Sequence, residues 1–265
     1  MGYPFDDLSF LPSLRGIIDG FETYPYKRIN LSILESLPEL KYIGIASLKP
    51  SDYPDFSKFT NLKSCELDVW GKNTDSLLHA KDLRLLTFSG YQHANLKALT
   101  VFKNLRRLQI SNARKITSLD GLEELPKLGE LDFYSLSSLT DIKAIGLSKS
   151  LRYITFNSCR KMLKLPEFNP ENSIEVFTAD NTGEIESMLP LLNCRNIRCL
   201  SFYESTKALD GKIKVLEDLP NLEFLTFQNR RFYDYKREDF ACYGVLPHCG
   251  DIIKETRNKY LTWDD

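Results

Sequence analysis

The side chains best suited to chemistry in this chain are its histidines and cysteines. Cys242, His248 and Cys249 form the one grouping that resembles a metal site, but zinc needs a fourth ligand and usually paired CxxC or HxxxH spacing. His79 and His93 have no partner at catalytic or ligand spacing. We therefore predict no metal site and no cofactor.

Two pairs of carboxylates occur at i and i+2 spacing, Glu66 with Asp68 and Glu130 with Asp132. On a β-strand, residues at this spacing lie on the same face, so each pair simply places two negative charges side by side. The spacing does not by itself indicate a general acid and a general base. Phosphate-binding glycine loops, GxSxG elbows and HExxH motifs do not occur in the sequence. We predict that the chain is not an enzyme, and the alternative is an active site built within the chain's terminal caps.

These carboxylates lie in a repeated frame, LxxLxL, that positions them. Nine copies of the frame begin 21 to 25 residues apart, and all 27 frame positions are apolar. A period of this length contains one short strand and a return segment, and such units stack into a solenoid with a parallel concave sheet. We predict at least nine parallel strands, centred near residues 43, 65, 86, 108, 131, 154, 177, 200 and 225.

The repeats resemble known leucine-rich repeats. The segment LRRLQISNARKITSLDGLEELPKL (105–128) resembles the repeats of bacterial internalins and of phosphatase-regulator-like proteins, and LRYITFNSCRKMLKLP (151–166) is similar to repeats of plant disease-resistance receptors. The resemblance covers roughly residues 40–230 and implies an α/β, right-handed leucine-rich-repeat horseshoe with short helical or irregular convex returns. It implies a fold and not a particular partner, because this fold serves many functions.

The ninth position of each repeat departs from these families, where it is usually Asn or Cys and binds backbone groups of the turn. Here no asparagine ladder exists, and we expect uneven curvature. The residues at this position are Leu48, Trp70, Tyr91, Ala113, Leu136, Cys159, Thr182, Ser205 and Arg230.

We predict one domain over residues 1–265. Residues 1–39 form an N-terminal cap with an irregular first rung at Leu14–Asp19 and a short helix at 31–37 before Pro38. Nine repeats occupy 40–228, and 229–265 form a C-terminal cap with a helix at 251–260. Convex helices should be clearest in the segment 210–220, which lies in the longest repeat.

The composition argues for a soluble cytoplasmic chain. Lys and Arg number 35 against 36 Asp and Glu, so net charge makes no case for nucleic acid as a partner. The six cysteines show no paired spacing that would indicate disulfides, which favours a reducing compartment. The N-terminus lacks a secretory signal and no apolar run reaches membrane-spanning length, so we predict no membrane association and a monomer when free.

Charge and aromatic residues concentrate on the predicted concave face, at positions 3, 5, 7 and 8 of the frame. Those columns hold six acidic side chains against a single Arg107, together with several tyrosines. Such a surface is typical of protein binding, since aromatics supply hot spots and charge steers association. The predicted partner-binding residues are Glu66, Asp68, Trp70, Glu130, Asp132, Tyr134, Tyr153, Asp180, Tyr203 and Glu204.

These residues favour a protein partner, most simply a basic one. The sharpest hypothesis is a cytosolic immunity protein that neutralises a toxin, and the alternative within the same class is a regulatory or effector scaffold that binds a protein such as a phosphatase. A nucleic-acid binder would instead use the basic column at the second frame position, where we expect salt bridges to neighbouring acids. That column contains Lys41, Lys63, Arg84, Arg106, Arg152 and Arg198.

Overall fold

The computed structural model describes residues 7–25, 27–245 and 247–260. Ten of the strands in these residues form one parallel sheet in the order β1 to β8, then β10 and β12, while β9 and β11 pair with each other. All nine predicted strands are confirmed. The strands are β1 (Gly20–Thr23), β2 (Tyr42–Ile45), β3 (Ser64–Leu67), β4 (Leu85–Ser89), β5 (Arg107–Ser111), β6 (Glu130–Tyr134), β7 (Tyr153–Asn157), β8 (Val176–Asp180), β9 (Glu184–Ile185), β10 (Cys199–Phe202), β11 (Lys207–Ala208) and β12 (Phe224–Phe227).

The frame residues form a continuous core because their columns are in register. Leu108 lies opposite Leu86 on one side and Leu131 on the other, and the same register continues along the sheet. Every frame residue of the nine predicted repeats is buried except Leu222, which is partly buried in the last repeat. The prediction of a leucine-rich-repeat solenoid is therefore confirmed at the level of its core.

A turn at the eighth frame position ends most strands. Ser135 has φ 59°, in the left-handed region, and its N–H donates to the Asn157 carbonyl of the next rung at 2.8 Å. The equivalent residues Ser47, Gly90, Asn112, Ser158, Asn181 and Glu204 share this conformation. In most repeats the ninth residue lies in the core, so apolar packing and backbone bonds between rungs take over the role of an asparagine ladder.

The return segments consist mainly of short 3₁₀ helices. The α-helix among them is α1 (Lys143–Leu147), so the prediction that helices would be clearest at 210–220 is wrong. In the segment 210–220, the Asp234 carboxylate accepts hydrogen bonds from the backbone N–H groups of Ile213 and Lys214. These bonds attach the start of the 3₁₀ helix there to the segment that follows the last strand. The 3₁₀ helices are Leu11–Leu14, Leu31–Ser36, Pro50–Asp52, Phe56–Lys58, Lys72–His79, Lys97–Val101, Leu122–Glu124, Leu189–Asn193, Lys214–Asp218 and Arg237–Asp239.

The first rung lies later in the chain than predicted. Strand β1 pairs with β2 so that Phe21 is opposite Ile43, which makes Ile18, Phe21 and Thr23 the frame residues of this rung. The prediction of a rung at Leu14–Asp19 is therefore wrong, because a polar Thr23 in the third frame place conceals the true register. The helix predicted before Pro38 is present as the 3₁₀ helix Leu31–Ser36.

The C-terminal segment both seals the core and folds back over the sheet. Tyr233 and Phe240 pack against Phe227 of the last rung, with ring centroids 5.8 and 5.9 Å apart. The helix predicted at 251–260 is confirmed as α2 (Cys249–Tyr260). Its position was not foreseen, because α2 lies on the concave face against β7, β8 and β10 and is not part of the end cap.

Candidate protein-binding surface

The concave face is made of alternate strand residues held in straight columns by the register. The fifth-position column passes through Gly44, Glu66, Thr87, Gln109 and Asp132. The seventh-position column lies beside it and contains Ser89, Ser111 and Tyr134. Side chains one strand apart are about 4.8 Å from each other, so a partner meets a fixed pattern of charge and rings.

An acidic groove lies at the N-terminal end of this face. Its cavity has a volume of about 210 Å³ and is lined by Tyr24, Glu66 and Asp68, with no Lys or Arg among the described lining residues. Glu22 and Tyr42 adjoin this cavity at Tyr24 and Gly44, and we include them in the groove. The Tyr24 hydroxyl donates to Glu22 Oε1 at 2.5 Å, and this bond raises the pKa of Tyr24 to about 12. Burial, together with Glu22 and Glu66, raises the pKa of Tyr42 to about 12.

A glycine keeps this groove open. A Cβ at Gly44 would lie 2.4 Å from the Tyr42 hydroxyl oxygen, so only glycine lets the tyrosine ring lie across the strand. Carboxylates flanked by tyrosine rings suit the ammonium or guanidinium group of a partner, through charge-assisted hydrogen bonds and cation–π contacts. Glu22 and Tyr24 were missed from the sequence because the first rung was placed in the wrong register.

Asp132 and Tyr134 lie at the middle of the sheet, on β6. Tyr134 is 51% exposed and Asp132 is half-buried. Burial and the neighbouring Glu130 raise the pKa of Asp132, although Arg107 and Arg257 act in the opposite direction. The folded chain therefore holds this carboxylate at a cost in stability, and a partner's cation placed against it would relieve that cost.

Asp132→Asn is expected to raise the melting temperature near pH 7. The pKa of Asp132 is higher in the folded chain than in the unfolded chain. The protonated side chain therefore adds to the free energy of unfolding, and this contribution is fully present below the ordinary pKa of aspartate. It is lost as the pH rises through the folded pKa. The gain from asparagine should thus vanish near pH 3, as calorimetry at both pH values can show. The exposed Asp120→Asn is the control, and a lower melting temperature for Asp132→Asn at pH 7 would contradict the assignment.

Glu130 and Tyr153 were predicted to be exposed, and that placement is wrong. Glu130 is fully buried, with its carboxylate 3.1 Å from Arg107 Nε and bonded to Arg257 of α2. The Arg257 guanidinium lies over the Tyr153 ring, 4.6 Å from its centroid. Both residues occupy the third-position column, which α2 covers on β6 and β7, so neither is open to a partner while α2 is in place.

Trp70 was predicted beside the binding surface but lies in the core at 2% exposure. As a ninth-position residue it points inward, where it packs against Phe88 and Tyr91 with ring centroids 4.7 and 5.3 Å apart. Its indole N–H donates to Asp75 Oδ1 at 3.1 Å. This residue therefore stabilises the repeat stack and is removed from the candidate surface.

The remaining predicted residues lie beyond the middle of the sheet. Asp180 Oδ1 accepts from Ser201 Oγ at 2.6 Å and from Tyr203 N at 2.7 Å, so this carboxylate supports the turn after the neighbouring strand β10. Tyr203 and Glu204 are exposed. The surface thus keeps Glu66, Asp68, Asp132, Tyr134, Tyr203 and Glu204 from the prediction and gains Glu22, Tyr24 and Tyr42.

The cysteines differ from the sequence-based expectation, because Cys199 and Cys249 form a disulfide with Cα atoms 5.8 Å apart. This bond removes Cys249 from the Cys242, His248 and Cys249 grouping. Among the described residues no cluster of three or more His, Cys, Asp or Glu side chains is arranged to hold a metal. The pairing could not be read from spacing because its partners are 50 residues apart.

The basic column at the edge of the sheet is partly neutralised, as predicted. Lys41 pairs with Asp19 at 3.0 Å, and Arg152 pairs with Glu175 at 2.8 Å. Arg198 contacts Glu223 and also Glu255 of α2, the latter at 2.9 Å. These ion pairs connect neighbouring rungs and attach α2 to the sheet.

Comparisons with known proteins agree with the solenoid. No protein-family model and no curated protein matches the chain. The functional domain of InlJ from Listeria monocytogenes, which includes a cysteine ladder, is similar with a TM-score of 0.55, 15% identity, and coverage of 87% of this chain and 52% of that one. The internalin InlF from Listeria monocytogenes gives a TM-score of 0.53, 18% identity, and coverage of 87% and 64%.

At these identities the likeness shows the fold alone, and this chain spans about half to two thirds of the length of those two structures. Along the part of the chain that is described, no helix has the length and hydropathy needed to cross a bilayer.

Proposed function

Because the chain is a leucine-rich-repeat solenoid, we propose that it is a non-catalytic binding module that captures a basic protein on its concave face. The observation that carries the proposal is the acidic groove, where carboxylates and tyrosine rings lie together on strands β1 to β3 and on the residues that directly follow them. From β1 to β6 the face extends about 24 Å, five strand spacings, which matches the width of a small domain. Side chains already fixed on strands lose little entropy on binding, which favours tight association.

The specific role we propose is that of a cytosolic immunity protein that neutralises a toxin. A toxin that acts on nucleic acid carries positive charge around its active site, and an acidic face of this extent would cover that charge and block the site. Such a role needs no catalysis, cofactor or membrane. We also propose that the protein is a monomer when it is not bound to the toxin.

Tyr134→Ala is expected to weaken binding of the basic partner by about 2 kcal/mol or more, roughly thirtyfold, because it removes an exposed ring from the centre of the face. Isothermal titration calorimetry with the purified product of the adjacent gene gives the measurement. Tyr243→Ala is the matched control, since Tyr243 is similarly exposed, at 47%, but lies in the C-terminal cap.

Three outcomes decide the proposal. Loss of affinity for Tyr134→Ala and not for Tyr243→Ala supports the concave face as the binding site. Equal affinities for the two variants and the unaltered chain would place binding elsewhere. Absence of a complex with that product, together with capture of another basic protein that depends on Tyr134, would keep the surface but refute the toxin assignment.

A further inference from the structure

Helix α2 lies across the concave face, in contact with β7, β8 and β10 and bonded to β6. Its first residue, Cys249, is bonded to Cys199 on β10, next to the last strand of the sheet, and Arg257 reaches Glu130 on β6. Eight helical residues advance about 12 Å, close to the roughly 14 Å between β10 and β6, three strand spacings away. The helix therefore lies across four strands and covers their third-position side chains.

The covered area, which we call the α2 seat, combines an apolar floor with two carboxylates. Ile252 packs among Tyr153, Val176, Cys199 and Phe224. Thr256 Oγ1 donates to Glu175 Oε2 at 3.3 Å, and Arg257 binds Glu130 through Nε and Nη2. These contacts select a helix that presents an aliphatic side chain and, more than one turn later, an arginine. The α2 seat consists of Glu130, Tyr153, Glu175, Val176, Cys199 and Phe224.

Apart from the disulfide, α2 buries few side chains in this seat. Of its described side chains, residues 249–258, only Ile252 and Thr256 are fully buried. A helix of 12 residues is marginal in water without tertiary support. The Cys199–Cys249 bond is the covalent contact that holds α2 on the seat, beside the ion pairs of Arg257 with Glu130 and of Glu255 with Arg198.

We propose that the α2 seat is a docking site for an arginine-bearing amphipathic helix of the basic partner, and that α2 occupies it until the Cys199–Cys249 disulfide is reduced. This inference rests on the proposed function and names the element of the partner that the covered half of the face receives. The α2 seat and the acidic groove would then contact the same partner, each on one half of the concave face.

Release of α2 requires a dithiol reductant. One thiolate of the reductant attacks a protein sulfur, and its second thiolate resolves the mixed disulfide. Two electrons pass from the dithiol to the protein disulfide, which becomes two thiols by taking up two protons, while the reductant becomes a disulfide. Disulfides of this kind in reducing compartments are usually transient and redox-sensing.

The test uses the full-length chain and a fluorescent synthetic peptide of residues 249–260 carrying Cys249→Ser. The acceptor is a full-length variant with Cys249→Ser, Ile252→Asp and Arg257→Glu, which removes the disulfide, the apolar contact and the arginine of α2 and leaves the residues of the seat unchanged. Fluorescence anisotropy should show at least about tenfold tighter binding to this variant than to the oxidised unaltered chain. A peptide that also carries Arg257→Glu should lose about tenfold in affinity for the variant, because its carboxylate would meet Glu130.

Hydrogen exchange of the unaltered full-length chain gives a second measurement. Amide exchange in α2 should rise at least about tenfold after dithiothreitol treatment, whereas the oxidised Cys242→Ser chain should keep the slow exchange. Equal peptide binding to both chains, no binding to the variant, indifference to the Arg257→Glu change, or unaltered exchange on reduction would each overturn the inference. The Tyr134→Ala result concerns the uncovered face alone, so the two proposals can fail separately.

Discussion

Glu130→Ala is expected to lower the free energy of unfolding by about 3 kcal/mol. Removal of one member of a buried ion pair typically costs about 3 to 5 kcal/mol, because the remaining charge has no compensation. The lower end applies here, since Arg107 and Arg257 keep 28% and 30% side-chain exposure and stay partly hydrated. The two guanidinium groups would also repel each other across the emptied site.

Denaturant unfolding of the full-length chain measures this effect. Glu66→Ala is the matched control, since this glutamate is exposed on the same face, and it should change stability by less than about 0.5 kcal/mol. The sequence places Glu130 on the predicted concave face, where an exposed side chain contributes little to stability. An equal, small effect of both substitutions would mean that α2 does not cover β6.

Leu131→Ala is expected to cost about 2 to 5 kcal/mol. Leu131 is fully buried between Leu108 and Ile154 in neighbouring rungs, so truncation removes apolar contacts and leaves a cavity that the stacked strands cannot easily close. Chemical denaturation again provides the measurement. Leu147→Ala makes the same chemical change at 65% exposure and should be almost neutral. Similar losses for the two variants would contradict the register of the core.

The repeats could be predicted from the sequence because their signal is local. Each frame needs only a short strand with apolar residues at fixed spacing, and stacking then buries all of them in register. Leu131 illustrates this, since its column and its neighbours follow from the frame alone. The first rung was misplaced because Thr23 breaks the apolar pattern, and its register is evident only from the pairing of Phe21 with Ile43.

The candidate surface was only partly predictable, because burial by distant residues is not a local property. Glu130 and Arg257 are 127 residues apart, and nothing in either segment indicates the contact. A helix at 251–260 could be recognised from its composition, but its place on the sheet depends on Cys199 and on the third-position column. Trp70 was misjudged for a different reason, since its ring packs in the core against Phe88 and Tyr91 of the following repeat, and its own frame does not indicate that packing.

Hydroxyl-radical footprinting of the complex with the basic partner tests the concave-face assignment most directly. Tyr24 and Tyr134, exposed at 58% and 51%, lie on the concave face, whereas Leu147 and Leu163, at 65% and 52%, lie in return segments. We expect oxidation of the two tyrosines to fall on complex formation while oxidation of the two leucines is unchanged. Protection of Leu147 and Leu163 with full oxidation of Tyr24 and Tyr134 would contradict it.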